Sequence, residues 1–153
     1  MAMNNFLNIF EHVSWANNRI VDALVYAAHE EQEMTRLFSH LLYAEKIWIL
    51  RILGEDPSAI PLFRNTSLDE CRSLIEENDQ LITPFLKSIN DRELARIVSY
   101  TNSKGITYEN SVTEILTHVA LHGQYQRGQI NMRLRMGGRE PINVDFITFL
   151  REG

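Results

Sequence analysis

Apolar residues recur every third or fourth position through most of this chain, the period of helices buried along one side. Phe6, Phe10, Val13, Ile20 and Leu24 lie on the first such stripe and predict a helix from near Asn4 to near Ala28. After a polar break around His29 to Glu33, Met34, Leu37, Leu41, Ala44, Trp48 and Ile52 mark a second helix, closed by Gly54 and Pro57. Phe38, Leu42 and Ile49 widen its apolar face, which suggests burial on two sides, as in a homodimer. Residues 55–66 hold two prolines and read as a loop. A third helix opens at Ser67, with Glu70 three residues later as a capping box, and runs to about Ser88. Pro84 is expected to kink its last turns.

The period then changes. Ile97 to Tyr100 and Ile106 to Tyr108 are short β-compatible runs around the turn formers Asn102 to Gly105, so a hairpin is expected. Ser111 and Glu114 make a second capping box and open the fourth helix, which Gly137 and Gly138 close. The tail adds a short helical turn at Asp145 to Leu150. The expected class is all-α: one domain, residues 1–153, a four-helix bundle with a small β-hairpin inserted before the last long helix.

Composition narrows the function classes. Hydrophobic residues make up 44% and charged residues 23%, the balance of a globular domain. A net charge of −5 with no Lys/Arg run disfavours nucleic acid as a partner. The longest apolar run, Ile47 to Leu53, is broken by Arg51 and too short to span a bilayer, so no membrane association is expected. No signal peptide is visible. Cys71 is the single cysteine and fits a reducing cytoplasm, the expected location. It falls in the first turn of the third helix, where the dipole can lower a thiol pKa, yet no base is near in sequence and it reads as a bystander.

The candidate chemistry lies between Thr117 and Ile130. His118, His122 and Gln126 recur every fourth residue and share a helix face. Measured from the stripe of Val112, Ile115, Leu116, Val119, Ile130 and Leu134, Gln126 stands about 40° away, His122 about 80° and His118 about 120°. The inner pair is therefore His122 with Gln126, and His118 is the most exposed of the three. A buried imidazole and amide need partners, since an unpaired group costs about 1–3 kcal/mol. His40 on the second helix is the leading candidate. Two imidazoles and one oxygen ligand around a divalent ion leave positions open for water or substrate. The plainer alternative is that Gln126 and His122 bond each other and the neighbouring helix, and spacing alone favours it.

Other polar residues have structural readings. Glu45 falls within the apolar stripe of the second helix and is expected to form an ion pair, with Arg127 as partner. Arg127 should tie the last helix to the first near Trp15 and Asn17, with Gly128 permitting close approach. Tyr125 either lines a pocket mouth or packs ordinarily. His12 lies off the first stripe and is expected in solvent; His29 suits the negative end of the first helix dipole. No Ser-His-Asp order, phosphate loop or dinucleotide fingerprint is present.

The segment His118-x3-His122-x3-Gln126-Arg127-Gly128-Gln129 resembles the last-helix signature of the DinB/YfiT-like family of bundle metalloproteins, commonly written His-x3-His-x3-His-Arg-Gly-Gln. Trp15-Ala16-Asn17, Ser39-His40-Leu41-Leu42 with Glu45 and Trp48, and the ending with Pro141, Asp145, Phe146 and Phe149 match as well. The resemblance covers nearly the whole chain. It implies metal ligands at His40, His122 and position 126, and a divalent ion such as nickel or zinc. It also implies a metal-dependent S-transferase chemistry with a low-molecular-weight thiol of the bacillithiol or mycothiol type, acting on an electrophile. Position 126 departs from the pattern, being glutamine where the family has histidine. Three outcomes follow: Gln126 ligates weakly through its oxygen, His118 swings in to replace it, or the site is empty and the protein is a non-catalytic binding bundle.

Overall fold

The computed structural model describes residues 2–27, 32–64 and 66–152. His29 lies outside them. Four long helices form the bundle: α1 (Ala2–Ala27), α2 (Gln32–Ile52), α3 (Leu68–Ser88) and α5 (Val112–Met136). Between the last two come a single turn, α4 (Asp91–Leu94), and the antiparallel strands β1 (Ile97–Thr101) and β2 (Thr107–Ser111); α6 (Phe146–Glu152) ends the chain. No helix among the described residues is long and apolar enough to cross a membrane.

Local chemistry sets the boundaries. α2 stops where Gly54 takes φ +78°, which lets Glu55 N donate to Leu50 O at 2.8 Å and Gly54 N to Arg51 O at 3.2 Å. These are the two bonds of a Schellman cap. α3 starts on Ser67, whose hydroxyl accepts from Glu70 N at 3.2 Å, and continues through Pro84. β2 passes directly into α5 at Ser111, which pairs with Ile97 in the ladder and also caps the helix. The full capping box is present there: Glu114 N donates to Ser111 Oγ at 3.1 Å and Ser111 N to Glu114 Oε1 at 2.8 Å. β2 extends past Tyr108 through Glu109, Asn110 and Ser111, polar residues that carry no strand signal of their own. The α4 turn was likewise not expected from sequence; Asn90 caps it by accepting from Glu93 N at 2.8 Å.

α2 packs on both α3 and α5, and α1 packs chiefly on α3. The wide apolar face of α2 is thus covered within one chain: Phe38, Leu41, Leu42 and Ile49 are all buried without a second subunit. His12 corrects an expectation. It is buried, its Nε2 lies 2.7 Å from Val144 O, and its ring meets those of Trp15, Phe146 and Phe149. A helical wheel could not show this, because the tail covers a face of α1 that the other long helices leave open.

The core is divided. One apolar cluster gathers Ile20, Leu24, Phe38, Leu41, Ile130 and their neighbours; the other gathers Phe10, Ile49, Ile82, Leu86, Ile115 and theirs. Between them every long helix contributes a polar or small residue: Asn17 from α1, Glu45 from α2, Asn78 from α3, and Gly123 with Arg127 from α5. This polar waist lies level with His122 and Gln126.

Candidate metal centre

At the waist, Arg127 is fully buried. Its Nη1 donates to Asn17 Oδ1 at 2.8 Å and stands 3.9 Å from Glu45 Oε1. Its Nε and Nη2 donate to Gln124 Oε1 at 3.2 and 3.1 Å. Asn17 Nδ2 in turn donates to Glu45 Oε1 at 3.1 Å, and Gln124 Nε2 to Val144 O at 3.1 Å. The Glu45–Arg127 pair and the tie from α5 to Asn17 are thus as expected from sequence. Burial pushes the Glu45 carboxyl up, against the opposing pull of Arg127 and Asn17, and pushes the Arg127 guanidinium down. Desolvation therefore outweighs attraction for each partner, as is common for buried pairs.

Gly128 does not have the role assigned to it. A Cβ there would meet nothing within 4 Å, whereas one at Gly123 would lie 3.2 Å from Arg127 Nη1 and 3.5 Å from Glu45 Oε1. Gly123 is the glycine that makes room. The sequence offered one signal for it: it stands four residues before Arg127, on the same helix face.

This anchoring holds one side of α5 toward α2. Gln126 and His122 are half-buried and His118 is the exposed one of the three, as the wheel gave for it. Gln126 Nε2 lies 3.5 Å from His122 Nε2, a long contact, and Gln126 Oε1 is buried with no hydrogen-bond partner among the described residues. The plain reading of a mutually satisfied pair is therefore only half met. His122 is drawn below the ordinary imidazole range by burial first, then by repulsion from His118 and His40. Its ring is thereby held neutral, with a lone pair to offer. A positive charge on His40 of α2 would be felt at His122. His40 Nδ1 is 3.2 Å from Leu62 O and donates to it, which in the neutral ring leaves the lone pair on Nε2. Phe63 stacks on the His40 ring at 5.0 Å.

His118 stacks on His122, with centroids 5.3 Å apart, and meets the edge of Trp48 at 5.2 Å. It occupies the outer layer of the face. Tyr125 is exposed and lines a separate groove with Leu37, Gly128, Gln129, Met132 and Met136. Cys71 is buried, and burial with nearby Glu70 pushes its thiol up to about 12, so burial overrides any help from the helix dipole.

The sequence pattern of the DinB family matches residues 1–152. The chain belongs to the DinB family. It is also similar to Protein DinB of Bacillus subtilis (strain 168), with 26% identity over 164 aligned residues that cover 97% of this chain and 95% of that protein. The DinB bundle and its inserted hairpin are thus as the sequence pattern implied. Among the described residues no group of three His, Cys, Asp or Glu gathers as a metal site. What this DinB chain offers instead is two imidazoles with a lone pair each and an amide oxygen without a partner. That donor set fits a borderline divalent ion, with the amide as its weakest member.

Proposed function

We propose that this DinB-family chain binds a divalent ion, nickel or zinc, through His40 Nε2, His122 and Gln126 Oε1, and that it serves a metal-dependent thiol S-transferase chemistry. The observation that carries the reading is the buried, unpartnered Oε1 of Gln126, the residue whose Nε2 lies beside His122. An orphaned acceptor in a half-buried site costs about 1–3 kcal/mol, and a cation would answer it. A bound divalent ion would lower the pKa of a low-molecular-weight thiol and favour its thiolate for attack on an electrophile. The protein's own residues do the rest. Leu62 O orients His40, burial keeps His122 unprotonated, and the Arg127–Gln124–Asn17 network holds the α5 turn that carries both His122 and Gln126.

A second reading is favoured by the amide at position 126 and the lack of a third strong ligand among the described residues: a metal-free binding bundle. Metal analysis of untagged protein purified without a nickel column separates the two. Stoichiometric metal, lost in His40→Ala and His122→Ala variants that keep the wild-type circular dichroism, supports the first. Gln126→His should then bind nickel or zinc tighter by on the order of tenfold or more, since imidazole is the stronger ligand. Equal affinities, or metal-free protein indifferent to the histidine substitutions, support the second.

A further inference from the structure

One large cavity does not lie over His122. It is an open groove of about 840 Å³ between the C-terminal half of α2, residues 54–62 and β1. Its inner wall includes Ala44 and Leu62, next to His40; Arg51, eleven positions after His40 and roughly 16 Å along the helix axis, stands further out. The Arg51 guanidinium carbon lies 4.6 Å from the Trp48 ring centroid and 4.8 Å from that of Tyr100. Two aromatic rings thus flank the group. Of its five N–H donors, only Nη2 has a partner among the described residues, Thr101 O at 3.5 Å, the outer limit of a hydrogen bond. Arg19, Arg36, Arg64, Arg72, Arg96 and Arg127 each stand within ion-pair distance of a carboxylate; Arg51 has none among the described residues.

A guanidinium flanked by rings and left with free N–H edges is arranged for a planar anion. The opposite rim limits which one. Glu55 and Asp56 line the same groove, and both Asp56 carboxylate oxygens accept from Ser58, at 2.9 Å each. Their two negative charges oppose a polyphosphate or a nucleic-acid backbone. Ser99, Thr101 and Asn102 offer hydroxyl and amide contacts to the body of a small molecule.

We propose that this groove is a binding site for a small carboxylate, gripped through two N–H bonds by Arg51 with the body of the ligand against the hairpin. The site stands on the groove's own geometry and does not require a metal at His40 and His122. The test uses the full chain in chelator, carrying Trp15→Phe so that Trp48 alone reports by fluorescence. Succinate should give a saturable change, and its neutral analogue succinamide none. Arg51→Gln should weaken succinate at least tenfold, and Arg51→Lys should fail to restore it because an ammonium lacks the planar fork. Glu55→Gln, which removes a repelling charge and leaves Arg51 in place, should tighten succinate about two- to threefold. The proposal is overturned by an unsaturable response, by equal binding of succinamide, or by wild-type affinity in a folded Arg51→Gln protein. Inorganic phosphate binding as tightly as succinate would also overturn it. If Arg51→Gln does not fold, the succinamide and Glu55→Gln comparisons decide.

Discussion

Replacing Arg127 by methionine tests the polar waist directly. The substitution keeps the apolar stem but removes three hydrogen bonds, 2.8 Å to Asn17 and 3.2 and 3.1 Å to Gln124, together with the charge 3.9 Å from Glu45. Breaking one partner of a buried ion pair costs about 3–5 kcal/mol, because the other charge is left uncompensated. Methionine burial returns only part of this. For a domain whose whole stability is about 5–15 kcal/mol, the loss is a large fraction. At about 2–4 °C per kcal/mol for a chain of this size, the melting temperature should fall by roughly 6–20 °C. Urea denaturation gives the free energy directly. The pH dependence identifies the cause. Glu45 already has a raised folded-state pKa, so its ionisation disfavours the native state and the penalty appears as pH climbs through that value. Without Arg127 the opposing attraction is gone, so the deficit should be smaller at pH 5 than at pH 8. Arg127→Met with Glu45→Met should recover much of the loss, since an apolar pair leaves no buried charge. A single-variant cost under about 1 kcal/mol would refute the reasoning, since a broken buried pair should exceed it. A cost that is flat with pH, or a double variant equal to the sum of the singles, would refute it as well.

Two glycines on α5 should respond in opposite directions. Gly123→Ala should destabilise by about 1–2 kcal/mol in thermal melts, because its Cβ meets an Arg127 head pinned by Asn17 and Gln124; overpacking of a fixed group costs this much. Gly128→Ala meets nothing and should stabilise by up to about 1 kcal/mol through helix propensity. His12 supplies a pH prediction. Burial, the largest influence on it, holds its folded pKa below the ordinary 6.5. Its contribution is therefore present above that value and is lost as pH falls from about 6.5 toward the depressed folded value. His12→Gln should flatten part of the stability loss between pH 7.5 and 5.5 in urea titrations; an identical slope in both proteins would count against it.

Much of the fold could be read from residue order because its causes are local. The 3.6 period of apolar residues, the Ser111–Glu114 capping box, the helix stop at Gly54 and the turn at Asn102 to Gly105 act over a few neighbouring residues. That His118 is more exposed than His122 and Gln126 followed from one wheel. The four-residue matches around His40 and Gln126 then named the family. What escaped the wheel involves elements far apart in the chain. His12 is buried because Val144, Phe146 and Phe149 return to it across the whole sequence. Gly123, not Gly128, makes room for the waist, because Arg127 folds back along its own helix to reach Asn17 and Gln124. The breadth of the α2 face is spent on α3 and α5.

The single residue that matters most to the site shows both levels at work. Sequence alone determined that position 126 carries an amide where the family pattern has an imidazole. Only the tertiary structure decided what that amide faces, since whether an oxygen finds a partner depends on side chains from other helices. Its oxygen is buried and unpartnered among the described residues, while its nitrogen lies beside His122.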